Sequence, residues 1–217
     1  MDTKGREALG QTLASGNNRP MPSRPTLLSF WLVAALGALS FASELDRPCP
    51  PFGAKDDLGF NRTLKGHEGQ VVVLVAWNTR GPGSAAYVAR LNTLSKRYQP
   101  KKGEKHKVVF YGLASNHFET LDGLKQARKK TKLNFPILLD PGGQIAKRVK
   151  TFSTPMALVI DAKGVLRYRG AIDDDPQGEK RRGKRQLFLQ GAVDAVLAGR
   201  RPAPNKTKVT GFRIRFK

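Results

Sequence analysis

The segment best placed to do chemistry is a short loop, residues 77–82, that carries Thr79, Arg80, Gly81 and Pro82. The preceding residues 71–76 are continuously apolar and mostly β-branched, which predicts a strand buried on both faces. The following residues, 83–98, have helical apolar spacing. A loop between a core strand and a helix is where α/β folds commonly bind ligands. A cysteine at such a helix N-terminus is stabilised as a thiolate, but this loop contains none.

The only cysteine of the chain, Cys49, lies upstream in a proline-rich stretch. One cysteine cannot form an intramolecular disulfide, a Cys-x-x-Cys redox pair or a cysteine-based zinc site. The sequence therefore predicts a free thiol. An intermolecular disulfide is the alternative in an oxidising compartment.

The other candidate ligands show no metal-binding pattern. His67, His106 and His117 are scattered along the chain, so we predict surface histidines and expect neither a metal nor a cofactor. The run Asp173-Asp174-Asp175 could hold a cation, but a solvated loop is the prediction. No serine–histidine–aspartate order and no phosphate-binding loop is present.

The charge of the chain is strongly positive. Its 217 residues carry a formal net charge of +22. A solvated basic surface accounts for such a charge, and attraction to an anionic ligand or a cell-envelope polymer is the alternative. The basic residues follow no pattern of a nucleic-acid-binding module, so we predict no specific nucleic acid partner.

The sequence of the N-terminal region is typical of a targeting segment. Residues 1–20 are predicted to be disordered, or an extension upstream of a true start at Met21. Residues 21–42 resemble a secretory signal peptide, with Arg24, an apolar run over 27–39 and small residues before a cut near Ala42. We therefore predict export, with a membrane anchor at this segment as the alternative and no other membrane contact. Residues 43–65 are a Pro/Gly-rich lead-in that we expect to pack loosely and to contain at most a short strand.

Hydrophobic periodicity and turn signals predict one domain over residues 66–200, followed by a basic C-terminal tail, 201–217. A parallel βαβ unit followed by a β-hairpin and a last helix predicts an α/β fold, a central mixed sheet with helices on both faces. The predicted strands are 71–76, 108–114, 135–139, 156–160 and 165–169, and the predicted helices are 83–98, 119–131, 143–149 and 185–198.

Several motifs at consistent spacing carry a family resemblance. They are Thr79-Arg80-Gly81-Pro82, Tyr87-Val88-Ala89-Arg90-Leu91, Phe135-Pro136-Ile137-Leu138-Leu139-Asp140-Pro141-Gly142, Thr154-Pro155 and Tyr168-Arg169-Gly170. With the element order, they resemble the thioredoxin-like redoxins of the AhpC/TSA (peroxiredoxin-like) family over about residues 60–215. The resemblance implies a thiol-disulfide oxidoreductase or peroxidase with antioxidant activity. It also implies a cis proline at Pro155, facing the loop.

The sequence departs from the family at its centre. Gly81 stands where the resemblance implies the nucleophilic cysteine, and Phe212, in Gly211-Phe212-Arg213-Ile214, stands where such redoxins often carry a second one. We therefore predict a non-catalytic binding or scaffold homologue. Arg80 either binds an anion weakly or is simply solvated. The alternatives are residual redox activity through Cys49, polyanion binding through the basic tail, and an unrelated activity on the same fold.

Overall fold

The computed structural model describes residues 45–180 and 183–216. The predicted N-terminal extension and signal peptide lie outside the described residues. No helix of the described ranges is long and apolar enough to cross a membrane. The strands are β1 (Arg47–Pro48), β2 (Gly53–Lys55), β3 (Asn61–Thr63), β4 (Val71–Trp77), β5 (Val108–Ala114), β6 (Ile137–Leu139), β7 (Ser153–Thr154), β8 (Met156–Ile160), β9 (Val165–Gly170) and β10 (Phe212–Arg213), and the helices are α1 (Pro82–Ala86), α2 (Val88–Arg97), α3 (Leu121–Thr131), α4 (Gln144–Arg148) and α5 (Phe188–Leu197).

The main sheet is mixed, as predicted. Its strand order is β1-β9-β8-β4-β5-β6. Strands β4, β5 and β6 run parallel, while β8, β9 and β1 pair antiparallel. The parallel register sets Trp77 beside Ala114 at the carboxyl ends of β4 and β5. The loops that follow these strands therefore meet at one edge of the sheet.

Both faces of the sheet are covered. The alternate residues Val73 and Val75 of β4 share one apolar cluster with residues of α2, α3 and α5. The intervening residues Val72 and Leu74 share a second cluster with α4 and with the chain before β2. All seven residues of β4 are buried, which is the physical basis of its unbroken apolar sequence.

Two helices differ from the prediction. The helix expected over 83–98 is divided at Tyr87 into α1 and α2, with φ −94° and ψ −7° at that residue. The last helix begins at Phe188 rather than near 185. Its delayed start has a local cause, since Asp174 accepts a hydrogen bond from the Gln186 N–H (2.9 Å) and its own N–H donates to the Gln186 carbonyl (3.3 Å). These two bonds hold Gln186 outside the helix.

The lead-in does not pack loosely. Strand β1 extends the main sheet by pairing with β9, and β2 and β3 form a hairpin. Asp57 is buried, accepts a 2.8 Å hydrogen bond from the Ile137 N–H and pairs with Arg128. The buried Asp56 accepts from Arg62 Nε at 2.8 Å. The Asp57 carboxylate therefore fastens the lead-in to β6 and α3, and the Asp56 carboxylate fixes the lead-in internally, roles that its Pro/Gly-rich composition does not reveal.

The aspartate run is likewise not a solvated loop. Asp173 and Asp175 are each 3% exposed. Asp173 accepts from the Tyr87 hydroxyl (3.0 Å) and from Arg90 Nη1 (2.7 Å). Asp175 lies 3.1 Å from Arg185. The carboxylates pair with half-buried arginines and are not free to bind a cation, and the Asp173–Arg90 pair joins α2 to the chain after β9.

Candidate functional site

The loop after β4 is fixed by its own side chains. Ser84 Oγ accepts the Asn78 N–H at 2.9 Å, and Asn78 Oδ1 accepts the Arg80 N–H at 2.9 Å. Gly81 is the N-cap of α1 and Pro82 is the first helical residue, where proline costs no hydrogen bond. The loop thereby holds Arg80 exposed at the carboxyl edge of the sheet.

Thr79 is bound to a buried carboxylate that sequence reasoning missed. Glu119 is 6% exposed, and its two oxygens accept the Thr79 N–H (3.1 Å) and the Thr79 hydroxyl (2.6 Å). Asn116 donates to the same carboxylate at 3.5 Å. The Thr79 hydroxyl is therefore committed inside the protein, where it anchors the loop to the chain after β5.

Thr154 and Pro155 lie beside the C-terminal strand β10. The Thr154–Pro155 peptide bond is cis, as the resemblance implied. Phe212 of β10 pairs with Thr154 of β7. A methyl group placed on Gly83 would lie 3.3 Å from Pro155 Cδ and 3.4 Å from the Phe212 ring. The structure therefore brings the redoxin loop, the cis proline and Phe212 together, although they are far apart in sequence.

The C-terminal segment is part of this site and not a free tail. Ile214 is buried, and its N–H donates to the Phe152 carbonyl at 2.9 Å. The Arg215 N–H donates to Asn116 Oδ1 (2.9 Å), and its carbonyl accepts the His117 N–H (2.8 Å). The packed structure therefore continues through residue 216, beyond the boundary predicted at residue 200.

The loop after β4, the chain after β5 and the C-terminal segment line a cleft of about 930 Å³, whereas Thr79, Thr154 and Pro155 are not part of its lining. The Arg80 guanidinium lies over the Phe118 ring, 4.6 Å from its centroid. The lining, taken among the described residues, contains three arginines and a histidine but no carboxylate. It consists of Asn78, Arg80, Gly81, Pro82, Asn116, His117, Phe118, Phe212, Arg213, Ile214, Arg215 and Phe216. The cleft is therefore cationic, with aromatic walls.

A second cavity, of about 500 Å³, lies beside α2 and the start of α5. Its walls include apolar side chains such as Leu94 and Ile172. Its charged groups include Arg90, Asp173 and Arg185, and each of these already has an ionic partner. We therefore place the candidate site at the cationic cleft.

Cys49 is remote in sequence from the residues of the cationic cleft, and its surroundings are apolar rather than charged. It is a free, buried thiol in the cluster beneath the second face of the sheet. Burial raises the pKa of Cys49 to about 12, so the thiolate that redox chemistry requires is disfavoured.

Among the described residues, no three of the histidines, acids and Cys49 lie close enough together to hold a metal ion. His67, expected at the surface, is half-buried and lies 3.0 Å from the Tyr111 hydroxyl.

A mixed sheet with helices on both faces, and a strand–loop–helix unit facing a cis proline, define a thioredoxin-like protein. The model of the AhpC/TSA family matches residues 45–169. The chain belongs to this family.

Similar proteins agree with this assignment. Proteins named thiol-disulfide oxidoreductase ResA, from Bacillus thuringiensis subsp. konkukian and Bacillus cereus, are each 28% identical over 121 residues, which is 56% of this chain. The match spans 66% of the length of these relatives, just under two thirds.

Two solved structures share the fold over most of the chain. An uncharacterized conserved protein from Geobacillus kaustophilus has a TM-score of 0.68 at 26% identity, with 80% of this chain and 92% of that one covered. A hypothetical protein from Sinorhizobium meliloti has a TM-score of 0.66 at 23% identity, with coverage of 80% and 94%.

The pairing of β10 with β7 depends on a glycine. A methyl group on Gly211 would lie 2.4 Å from the Thr154 carbonyl oxygen, so we expect Gly211→Ala to destabilise the fold by about 1–3 kcal/mol. Gly191→Ala is the matched control, because no atom lies within 4 Å of a methyl group there and alanine favours the interior of α5. Urea denaturation measures both. Equal stabilities for the two variants would contradict the close approach at Gly211.

The buried thiol makes a second prediction. At about pH 8, we expect a disulfide reagent to modify Cys49 at least about 100-fold more slowly in the folded protein than in urea, because burial opposes the thiolate. The pKa of Cys49 is higher in the folded protein than in the unfolded protein. The stabilisation that follows from this pKa difference is therefore present below a pH of about 8.5 and is lost as the pH rises towards the pKa of the folded protein. Similar modification rates in the folded and unfolded protein would show that Cys49 is accessible.

Proposed function

We propose that this chain is an exported, non-thiol member of the AhpC/TSA family that uses the cationic cleft to bind a small anion with a planar apolar body. One observation carries the proposal. The cleft that holds the redoxin loop is lined by arginine, histidine and phenylalanine and by no carboxylate among the described residues. Its chemistry suits recognition of an anionic ligand.

The composition of the loop supports a role without thiol chemistry. Gly81 has no side chain to attack a peroxide or a disulfide. Phe212, at the second position that the resemblance associates with cysteine, is a half-exposed apolar side chain that lies beside Gly83 of α1. Cys49, the only thiol in the sequence, belongs to the apolar core. The thiol-disulfide oxidoreductase activity for which the relatives are named therefore lacks its usual reactive group in this chain.

The arginines of the cleft support an anionic ligand. A guanidinium can donate two parallel hydrogen bonds to a carboxylate or a phosphate. Arg80, Arg213 and Arg215 are exposed. The ring of Phe118 lies beneath Arg80, and the Phe212 and Phe216 rings line the same cleft. These aromatic faces would cover the apolar part of a planar ligand.

A calorimetric titration with 1-naphthyl phosphate tests the proposal. We expect saturable binding that Arg80→Ala weakens at least about tenfold, which is about 1.4 kcal/mol. Arg200→Ala removes the same charge from an exposed residue outside the cleft and should leave binding unchanged. Inorganic phosphate and neutral 1-naphthol should each bind more weakly than the combined ligand.

Two results would overturn the proposal. Equal losses of binding in Arg80→Ala and Arg200→Ala would show that net charge alone attracts the ligand. Peroxide or disulfide turnover by the wild-type protein that disappears in Cys49→Ser would restore a thiol mechanism.

Export is the remaining part of the proposal, and the secretory pattern of residues 21–42 supports it. When the full gene is expressed in a secreting bacterial host, we expect the protein outside the cytoplasm to begin at Ser43, because the small residues Ser40 and Ala42 precede that bond. N-terminal sequencing measures this. A processed protein that begins elsewhere, or a chain retained in the membrane with residues 21–42 intact, would contradict cleavage and favour the anchor.

A further inference from the structure

Few acidic residues of the fold are fully exposed. Six acidic residues are buried, namely Asp56, Asp57, Glu119, Asp140, Asp173 and Asp175. Of the acids in the described ranges, four are exposed: Glu68, Glu104, Asp122 and Glu179. Because so few carboxylates reach solvent, the surface is more uniformly cationic than the net charge of +22 suggests.

The exposed cations concentrate at the edge of the sheet opposite the cationic cleft. Helix α2 leads into β5 and α3 leads into β6, and β5 and β6 run parallel, so the ends of both helices lie at the amino edge of the sheet. A 2.9 Å hydrogen bond from Asn92 of α2 to the Lys132 carbonyl joins them. We name the exposed cations of this edge the basal lysine surface: Lys96, Arg97, Lys101, Lys102, Lys105, Lys107, Lys129, Lys130 and Lys132.

These charges are not neutralised by neighbouring acids. The segments 96–107 and 129–132 contain one acid, Glu104, whose carboxylate accepts the Lys101 backbone N–H at 3.4 Å. No carboxylate of the described residues forms an ion pair with a member of the basal lysine surface.

Helix ends explain only part of this surface. Cations in the last turns of α2 and α3 complement the helix dipoles. Lys101, Lys102, Lys105 and Lys107 belong to neither helix, and so this stabilisation does not account for them. Four like charges within a seven-residue loop repel one another, and an anionic partner would relieve that repulsion.

The chemistry of the surface points to one kind of partner. Eight of its nine members are lysines, which act as point charges and impose no bidentate geometry. The large exposed apolar side chains of the described residues lie outside segments 96–107 and 129–132. The surface therefore offers no large exposed apolar group to enter a lipid layer, and its aromatic side chains are the exposed His106 imidazole and the half-buried Tyr98. We propose that the basal lysine surface binds a flexible linear phosphate polymer through its charges alone.

The test is binding of long-chain inorganic polyphosphate by the full chain at several salt concentrations. We expect the triple variant Lys101→Gln/Lys102→Gln/Lys105→Gln to weaken binding at least about tenfold at about 0.1 M salt. The slope of log affinity against log salt should fall by about 2, as expected for three lost phosphate contacts on a flexible strand. The triple variant Lys55→Gln/Lys65→Gln/Lys208→Gln removes three exposed cations elsewhere and should change binding less than threefold.

Several outcomes would overturn this proposal. Equal losses in the two triple variants would mean that net charge, and not this surface, sets the affinity. Tighter binding of single-stranded DNA than of polyphosphate at equal charge would require base contacts. Binding to anionic lipid vesicles with no binding to polyphosphate would make the partner a membrane. Binding of 1-naphthyl phosphate should be the same in both triple variants, so failure here is distinguishable from failure at the cleft.

Discussion

The central strand β4 is hydrogen-bonded to neighbours on both sides and buried on both faces, and it sets the positions of the loop that follows it, of the loop after β5 and of Pro155. Pairing with parallel β5 sets the loops after these two strands side by side. Pairing with antiparallel β8 brings the start of β8, and with it Pro155, to the same edge. The candidate cleft is thus a consequence of strand directions. The opposite edge collects the ends of α2 and α3, where the lysines lie, for the same reason.

The distribution of charge follows a second constraint. A carboxylate is stable in the interior only when it is paired or hydrogen-bonded. The buried acids meet that condition through arginines and backbone N–H groups. Asp140, for example, accepts the Ile145 and Ala146 N–H groups at 2.9 and 3.0 Å and so fixes the start of α4. Acids used in this way cannot offset surface cations. The paired carboxylates of the interior and the basic exterior are therefore both consequences of where the acidic residues lie in the fold.

The sequence was sufficient for the elements whose pattern is local. The apolar runs at 71–76 and 108–114 predicted the two inner strands, and the order of elements predicted a mixed sheet. It was not sufficient for contacts made by single polar residues across long separations. Glu119 and Thr79 are 40 positions apart, as are Asn92 and Lys132. No periodicity marks such pairs, and the lead-in and the C-terminal segment are held largely by contacts of this kind. The lead-in is rich in Pro and Gly and the C-terminal segment is rich in basic residues, and these compositions led us to predict less tightly packed segments.

The geometry around Gly81 shows which neighbours a larger residue at this position would meet. A β-carbon at this position would lie 2.9 Å from Asn78 Nδ2 and 3.1 Å from Asn78 Cβ. The Asn78 side chain cannot simply turn away, because its oxygen accepts the Arg80 N–H. A larger residue at position 81 would therefore disturb the bond that shapes the loop and presents Arg80. In this sense the loop is built around glycine. A side chain at position 81 would therefore compete for space with the asparagine that positions Arg80.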